Sequence, residues 1–247
     1  MKIYLFILSL FIASGTKELL ASVNNRIVHI FTEEYPPFFS EKMDHNGWVY
    51  KLTKKAFNSK GYEAKITFTN WKRAVETVKS GKGDALLGAY WTKERTNWLR
   101  YSAPLAKVQS GLFKLTERSD IIFNGNVNSL KKFKIGVGRG YSSSKKFDDN
   151  KHLKKVEFES SFQALKVMWK RKSLDLVAGI YEVDSYKMSE EMDRFKNMHN
   201  EITFIKPSLA TEYLYLGFSK RIPDLDEIVR DFNVGVINLL HNEKYKK

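Results

Sequence analysis

At 247 residues the chain is long enough for one large domain or for two of about 100 residues each. Hydrophobic residues at 43% and aromatics at 14% supply a packed core and exclude a globally disordered chain. The absence of cysteine excludes disulfides, thiol catalysis, cysteine-ligated zinc and a lipid-anchored export signal, while a formal net charge of +14 favours anionic partners such as an acidic solute, a membrane surface or a cell-wall polymer.

The start reads as a secretory signal. Met1 and Lys2 form a short positive head, and Ile3 to Ile12, apolar except for Ser9, is too short to span a bilayer. Cleavage is expected near Ala21, with Ala13-Ser14-Gly15 as a second point and an uncleaved anchor as the alternative. Arg26 to Thr32 is a strand, and Tyr35-Pro36-Pro37-Phe38-Phe39 forms a loop at its carboxyl end because two prolines cannot continue a central strand. Helical spacing runs from Trp48 to Ser59 and closes at Gly61; a strand follows from Ala64 to Phe68. Trp71 to Ser80 is a helix with Trp71, Ala74, Val75 and Val78 on one face, and Asp84 to Gly88 a short buried strand. Val108 to Leu115 is a further strand. The pattern then restarts, with strand Lys134 to Val137, a helix from Ser142 onward, strand Val156 to Phe158, helix Phe162 to Lys170 and strand Leu174 to Ala178. A polar helix over Glu182 to Asn197, strands over Ile202 to Ile205 and Tyr213 to Phe218, and a helix opened by Pro223 and running to His241 complete the chain.

The result is two similar α/β halves, each a mostly parallel sheet flanked by helices. Strand-like crossings near 106–114 and 206–216 look like paired hinge connections. They divide the chain into a signal peptide, 1–21, a first lobe, 22–108 with 213–247, and a second lobe, 109–212.

The most informative run is Gly81-Lys82-Gly83-Asp84-Ala85-Leu86-Leu87, Thr92-Lys93-Glu94-Arg95 and Tyr101-Ser102-Ala103-Pro104-Leu105. A helix ends at glycine, a strand enters a core, and an arginine follows just past the strand end. That puts a fixed cation at the mouth of an α/β sheet, where such folds bind small ligands. A guanidinium fork pairs a carboxylate in bidentate fashion, which lysine cannot copy. The alternative is a surface arginine paired with Glu94 or Glu117.

The run resembles the signature of extracellular solute-binding proteins of family 3, the polar-amino-acid type that feeds ABC transporters, and the likeness covers nearly the whole mature chain. The resemblance implies a two-lobed, type II periplasmic-binding-protein-like fold that closes on a solute at its hinge. It implies that Arg95 of the Thr-x-Glu-Arg pattern holds a ligand carboxylate. Upstream, Gly88, Tyr90, Trp91 and Thr92 stand where the family offers small residues to a ligand's ammonium end; Tyr90 has a hydroxyl to donate and Trp91 a wall to offer. Tyr35, Phe38 and Phe39 lie beyond the first strand, where aromatics floor a cleft; Phe39 reads rather as core. Arg73 is either a second anion contact or an exposed helix cation.

In the second half, Gly136 to Ser144 follows a strand and opens a helix, so free amides and close backbone approach favour an anion. The run is neither a dinucleotide fingerprint nor a P-loop. It resembles the family's second ligand loop, with Gly138, Tyr141 and Ser142 as contacts; a plain serine N-cap is the alternative. The clearest departure is at Ile180, where the family usually carries an aspartate for the α-ammonium; Glu182 serves only with a shifted loop. Gly47-Trp48-Val49 likewise replaces the family's Gly-Phe-Asp.

The five histidines are scattered without metal-ligand spacing, and no Gly-x-Ser-x-Gly elbow occurs. No cofactor is expected. The leading reading is therefore a periplasmic, monomeric carrier of an anionic or zwitterionic solute for an inner-membrane ABC permease, with no nucleic-acid partner. A stand-alone sensor or envelope interaction module, its basic 131–155 face docked to a partner, and a dehydratase-type enzyme on the same scaffold are the alternatives.

Overall fold

The computed structural model describes residues 26–139, 143–190 and 197–241. The expected signal peptide, Tyr141 and Ser142 lie outside them. In chain order the elements are β1 (Arg26–Thr32), α1 (Trp48–Asn58), β2 (Tyr62–Phe68), α2 (Trp71–Lys79), β3 (Ala85–Tyr90), β4 (Leu99–Tyr101), β5 (Ala106–Leu115), β6 (Lys134–Gly138), α3 (Lys145–Asp148), β7 (Lys154–Phe158), α4 (Ser161–Arg171), β8 (Leu176–Ile180), α5 (Tyr181–Glu190), α6 (Met198–Glu201), β9 (Ile202–Ser219) and α7 (Leu225–His241). They form one curled nine-stranded sheet in the order β2-β1-β3-β9-β5-β8-β6-β7, with β4 beside β9.

Strands β2, β1 and β3 are parallel, as are β7, β6 and β8. Antiparallel β5 and β9 join the two sets, paired from Ala106↔Leu214 to Leu115↔Ile202. These are the expected crossings. Side chains of successive strand residues point to opposite faces. In β3, Ala85 and Leu87 therefore enter a core shared with β1, α1, β9 and α7, while Leu86 packs under α2 with Ala74, Val78 and Leu99. In β5, Phe113 joins the core under α4, and Leu112 joins another with Leu130, Ile135 and Phe147. Burial on both faces is why β3 reads as an unbroken apolar run.

Each half closes its parallel sheet with the same device. Asp84, just before β3, accepts the His29 N–H of β1 at 2.7 Å and returns its own N–H to the His29 carbonyl at 2.8 Å. Asp175, just before β8, does the same to Lys134 of β6, at 2.8 and 2.9 Å. The segments Asp84-Ala-Leu-Leu-Gly-Ala-Tyr90 and Asp175-Leu-Val-Ala-Gly-Ile-Tyr181 are thus structural counterparts, with Gly88 matched to Gly179 and Ala89 to Ile180.

Two expectations are corrected. Residues 202–205 and 213–218 are parts of the single strand β9, which contains Pro207. The ladder slips between Ser110 and Leu112 of β5, so residues 206–209 bulge out of it and Pro207 costs no sheet bond. The helix expected from Ser142 starts at Lys145, because Ser144 accepts the Phe147 N–H as its N-cap. The helix expected over Glu182 to Asn197 is α5 as far as Glu190; 191–196 lie outside the described residues, and α6 follows from Met198.

Candidate functional site

A cavity of about 560 Å³ opens at the carboxyl ends of β1, β3 and β8, between the two sets of parallel strands. This size suits a small-molecule ligand. Its first-half wall is Glu33, Tyr35, Phe39, Trp71, Gly88, Tyr90, Trp91, Thr92 and Arg95; Ser110, Ala210 and Glu212 come from the crossing strands, and Ser143, Ser144, Lys145 and Ile180 from the second half.

Arg95 is held by its neighbours in a fixed pose. Its Nη1 donates to the Tyr90 carbonyl at 3.0 Å, its backbone N–H to the Thr92 hydroxyl at 3.2 Å, and its guanidinium lies 5.4 Å from the Trp71 ring centre. Tyr101 also donates to the Tyr90 carbonyl, at 3.0 Å. Arg95 forms no ion pair among the described residues; of the two partners in the surface reading, Glu94 makes none with it and Glu117 is taken by Lys172 at 2.9 Å. The Tyr90 and Tyr35 hydroxyls are 2.9 Å apart. Burial pushes the Tyr90 phenol up, as it does the Glu33 carboxyl.

Gly88 sits at φ +86°, in the β3 bulge opposite β9. A Cβ there would stand 2.4 Å from the Phe39 ring. Phe39, expected as core, is 1% exposed and still floors the cavity. A Gly88→Ala variant is therefore expected to lose about 1–3 kcal/mol of stability through backbone strain and overpacking. Thermal unfolding checks it, and the displaced Phe39 ring should weaken solute binding in the same protein.

The remaining expected contacts lie elsewhere. Arg73 is exposed on α2, its N–H capped by Asn70 at 2.9 Å, and is not on the cavity wall. Gly138 lines a smaller adjoining cavity of about 360 Å³, which shares Ser143 and Ile180 with the first. Glu182 turns to the crossing strands, accepting from the Gln109 backbone at 2.9 Å and its side chain at 3.3 Å, and is off the wall. Glu33, Trp71, Ser110, Glu212 and Ile180 are wall residues that the sequence reading did not nominate as contacts. For Glu33, Trp71 and Ile180 a signal was present: each follows or ends a parallel strand at its carboxyl end.

Ile180 is fixed from behind by Asp184, a fully buried carboxylate that accepts the Ile180 N–H and the Ser161 hydroxyl, both at 2.8 Å. Burial raises its proton affinity, opposed by these two hydrogen bonds and by Lys187. A carboxyl raised in the folded state contributes its stability fully below the unfolded-state value, about 4, and loses it as pH climbs through the folded one. Wild-type stability should therefore fall over that interval, and an Asp184→Asn variant should show less of the fall. Urea unfolding at a series of pH values measures the difference. No group of three or more metal-ligating side chains is present among the described residues.

Two sets of parallel strands joined by two crossing strands, with a cavity between them, define the type II periplasmic-binding-protein fold. Solved structures with that fold are similar over most of both chains. They include an arginine-bound variant of ArgBP from T. maritima (16% identity, TM-score 0.59, covering 86% of this chain and 95% of that one). The second substrate-binding domain of a proposed amino acid ABC transporter from Streptococcus pneumoniae matches at 20% identity and TM-score 0.65, covering 87% and 94%. A histidine kinase sensor domain matches at 17% and 0.63, covering 90% and 94%. The chain belongs to the bacterial extracellular solute-binding proteins, family 3, whose sequence profile matches residues 27–246. A search of curated protein sequences finds no significant match.

Proposed function

We propose that this protein captures a small carboxylate-bearing solute, an amino acid or a related zwitterion, between a first lobe (22–108 with 213–247) and a second (109–212). The observation that carries the reading is Arg95: a guanidinium on the cavity wall, steered by Tyr90 and Trp71 and unmatched by any carboxylate among the described residues. Tyr35, Tyr90, Trp91 and Thr92 enclose the body of the solute. The lobes close by bending at β5 and β9, the connections common to both. The loop at Gly138, Tyr141 and Ser142 completes the site on closure. Export to the periplasm, cleavage after Ala21, a monomeric state and delivery to an inner-membrane ABC permease without enzymatic turnover complete the proposal.

A thermal-shift screen of residues 22–247 against amino acids, dicarboxylates, opines and aromatic acids tests it. A solute at a hundred times its dissociation constant adds about 2.7 kcal/mol of stability. Small-angle scattering should show compaction with the same solute. A folded protein that no solute stabilises would overturn the reading. The similarity to a histidine kinase sensor domain favours a second reading, a stand-alone sensor. It predicts solute binding without any effect on uptake when the gene is deleted.

A further inference from the structure

The cavity wall carries charges that the chain itself does not neutralise. Arg95 is one. Glu33 and Glu212 line the same cavity, and neither carboxylate accepts a hydrogen bond or joins an ion pair among the described residues. Lys145, the other cation on the wall, is held by Asp149 at 2.8 Å. A half-buried carboxylate without a partner is costly, and Glu33 shows the cost as a raised proton affinity.

Tyr90 meets the two kinds of charge through different groups. Its backbone carbonyl accepts from Arg95, while its phenol meets Tyr35 and lies in the field of Glu212, Glu182 and Glu33. Arg95 acts instead on the Tyr101 phenol. The same wall carries the aromatic and apolar side chains of Trp71, Trp91 and Ile180. Such a wall suits a short aliphatic spacer, and its rings attract an organic cation.

An α-amino acid would set its ammonium beside its carboxylate, next to Arg95. The acceptors that hold Arg95 are already engaged. The Tyr90 carbonyl serves Arg95 and Tyr101, and the Thr92 hydroxyl accepts from the Arg95 N–H. The unpartnered carboxylates on the wall are those of Glu33 and Glu212. Resting on the solute-binding reading above, we infer that the solute is an ω-amino or guanidino carboxylate, with its carboxylate on Arg95 and its cation between Glu33 and Glu212. Its α-amine, where it has one, contributes little. A guanidinium fits best, since its planar edge offers donors to both carboxylates.

Calorimetric titration of the purified protein tests the inference with matched ligands: 5-guanidinopentanoate against arginine, 4-aminobutyrate against alanine, and glutarate as a spacer without a cation. The cation-bearing ω-acids should bind about tenfold or more tighter than alanine or glutarate, and 5-guanidinopentanoate should match arginine. Glu33→Gln and Glu212→Gln should each weaken these ligands about tenfold. Glu212 is exposed, so its variant reports even where Glu33→Gln fails to fold. Three results would overturn the inference: glutarate or alanine binding as well as the ω-cations, arginine binding tenfold tighter than 5-guanidinopentanoate, or unchanged affinity in the Glu212→Gln protein and in a folded Glu33→Gln protein. A carboxylate solute lost in Arg95→Ala but indifferent to both glutamates sinks this inference alone. No solute of any class binding sinks the solute-binding reading with it.

Discussion

An Arg95→Ala variant should stay folded and lose about 2–5 kcal/mol of solute affinity, roughly 30-fold to several thousand-fold. The loss is large because a ligand carboxylate brought into this cavity would give up water without gaining its bidentate partner. The fold should tolerate the change. Arg95 is only half-buried, in a single 3-10 turn (Arg95–Asn97), and the Tyr90 carbonyl that it touches keeps the Tyr101 hydroxyl at 3.0 Å. Thermal unfolding without ligand should therefore move little, while the ligand-induced shift disappears. Arg95→Lys separates charge from geometry. A lysine restores the positive charge but not the planar fork, so affinity should recover only in part. An Arg95→Ala protein that still shows the full thermal shift with the wild-type solute would remove Arg95 from the site.

The elements of the fold were legible wherever one periodicity dominated. β1, expected at Arg26 to Thr32, has those bounds, and α1 and α2 differ from their expected ends by one residue. Local signals misled where tertiary pairing overrode them. Residues 202–205 and 213–218 read as two strands, because a sequence does not show that the partner strand slips at Gly111 and leaves Pro207 outside the ladder. Three-residue β4 has no periodicity to detect and exists because β9 offers an edge from Gly217 to Ser219.

The candidate site was legible to the extent that the chain places it just after parallel strands. Arg95, Tyr35, Tyr90, Trp91, Thr92 and Gly88 all reach one cavity. Trp71 was read as a packing residue of its helix, yet as the first residue of α2 it also stands over Arg95. Glu212 could not have been found this way. It lies on a crossing strand, and its place on the wall depends on how far β9 runs past β3 before pairing with β5. Glu182 looked apt by charge and position, but the N-terminal turn of α5 directs it to Gln109.

Truncating Phe232 should be the most damaging single core change for stability, at about 3–5 kcal/mol. Its ring is fully buried and lies 4.7 Å from Phe57 of α1 and 5.7 Å from Phe218 of β9, with Phe57 and Phe218 themselves 6.2 Å apart. Three segments distant in sequence meet there, so removing one ring leaves a cavity that no single element can collapse into. The consequence reaches the site through β9. That strand carries Ala210 and Glu212 on the cavity wall and Phe218 in this cluster, and it pairs with both β3 and β5. Loosening α7 therefore frees one end of a crossing strand whose register positions the cleft. A Phe232→Ala protein should show a lowered urea midpoint and, under conditions where it remains folded, weaker solute binding than wild type. Phe232→Leu, which keeps most of the apolar contact, should lose less of both. Equal stability of Phe232→Ala and wild type would show that α7 is not what holds the strand in place.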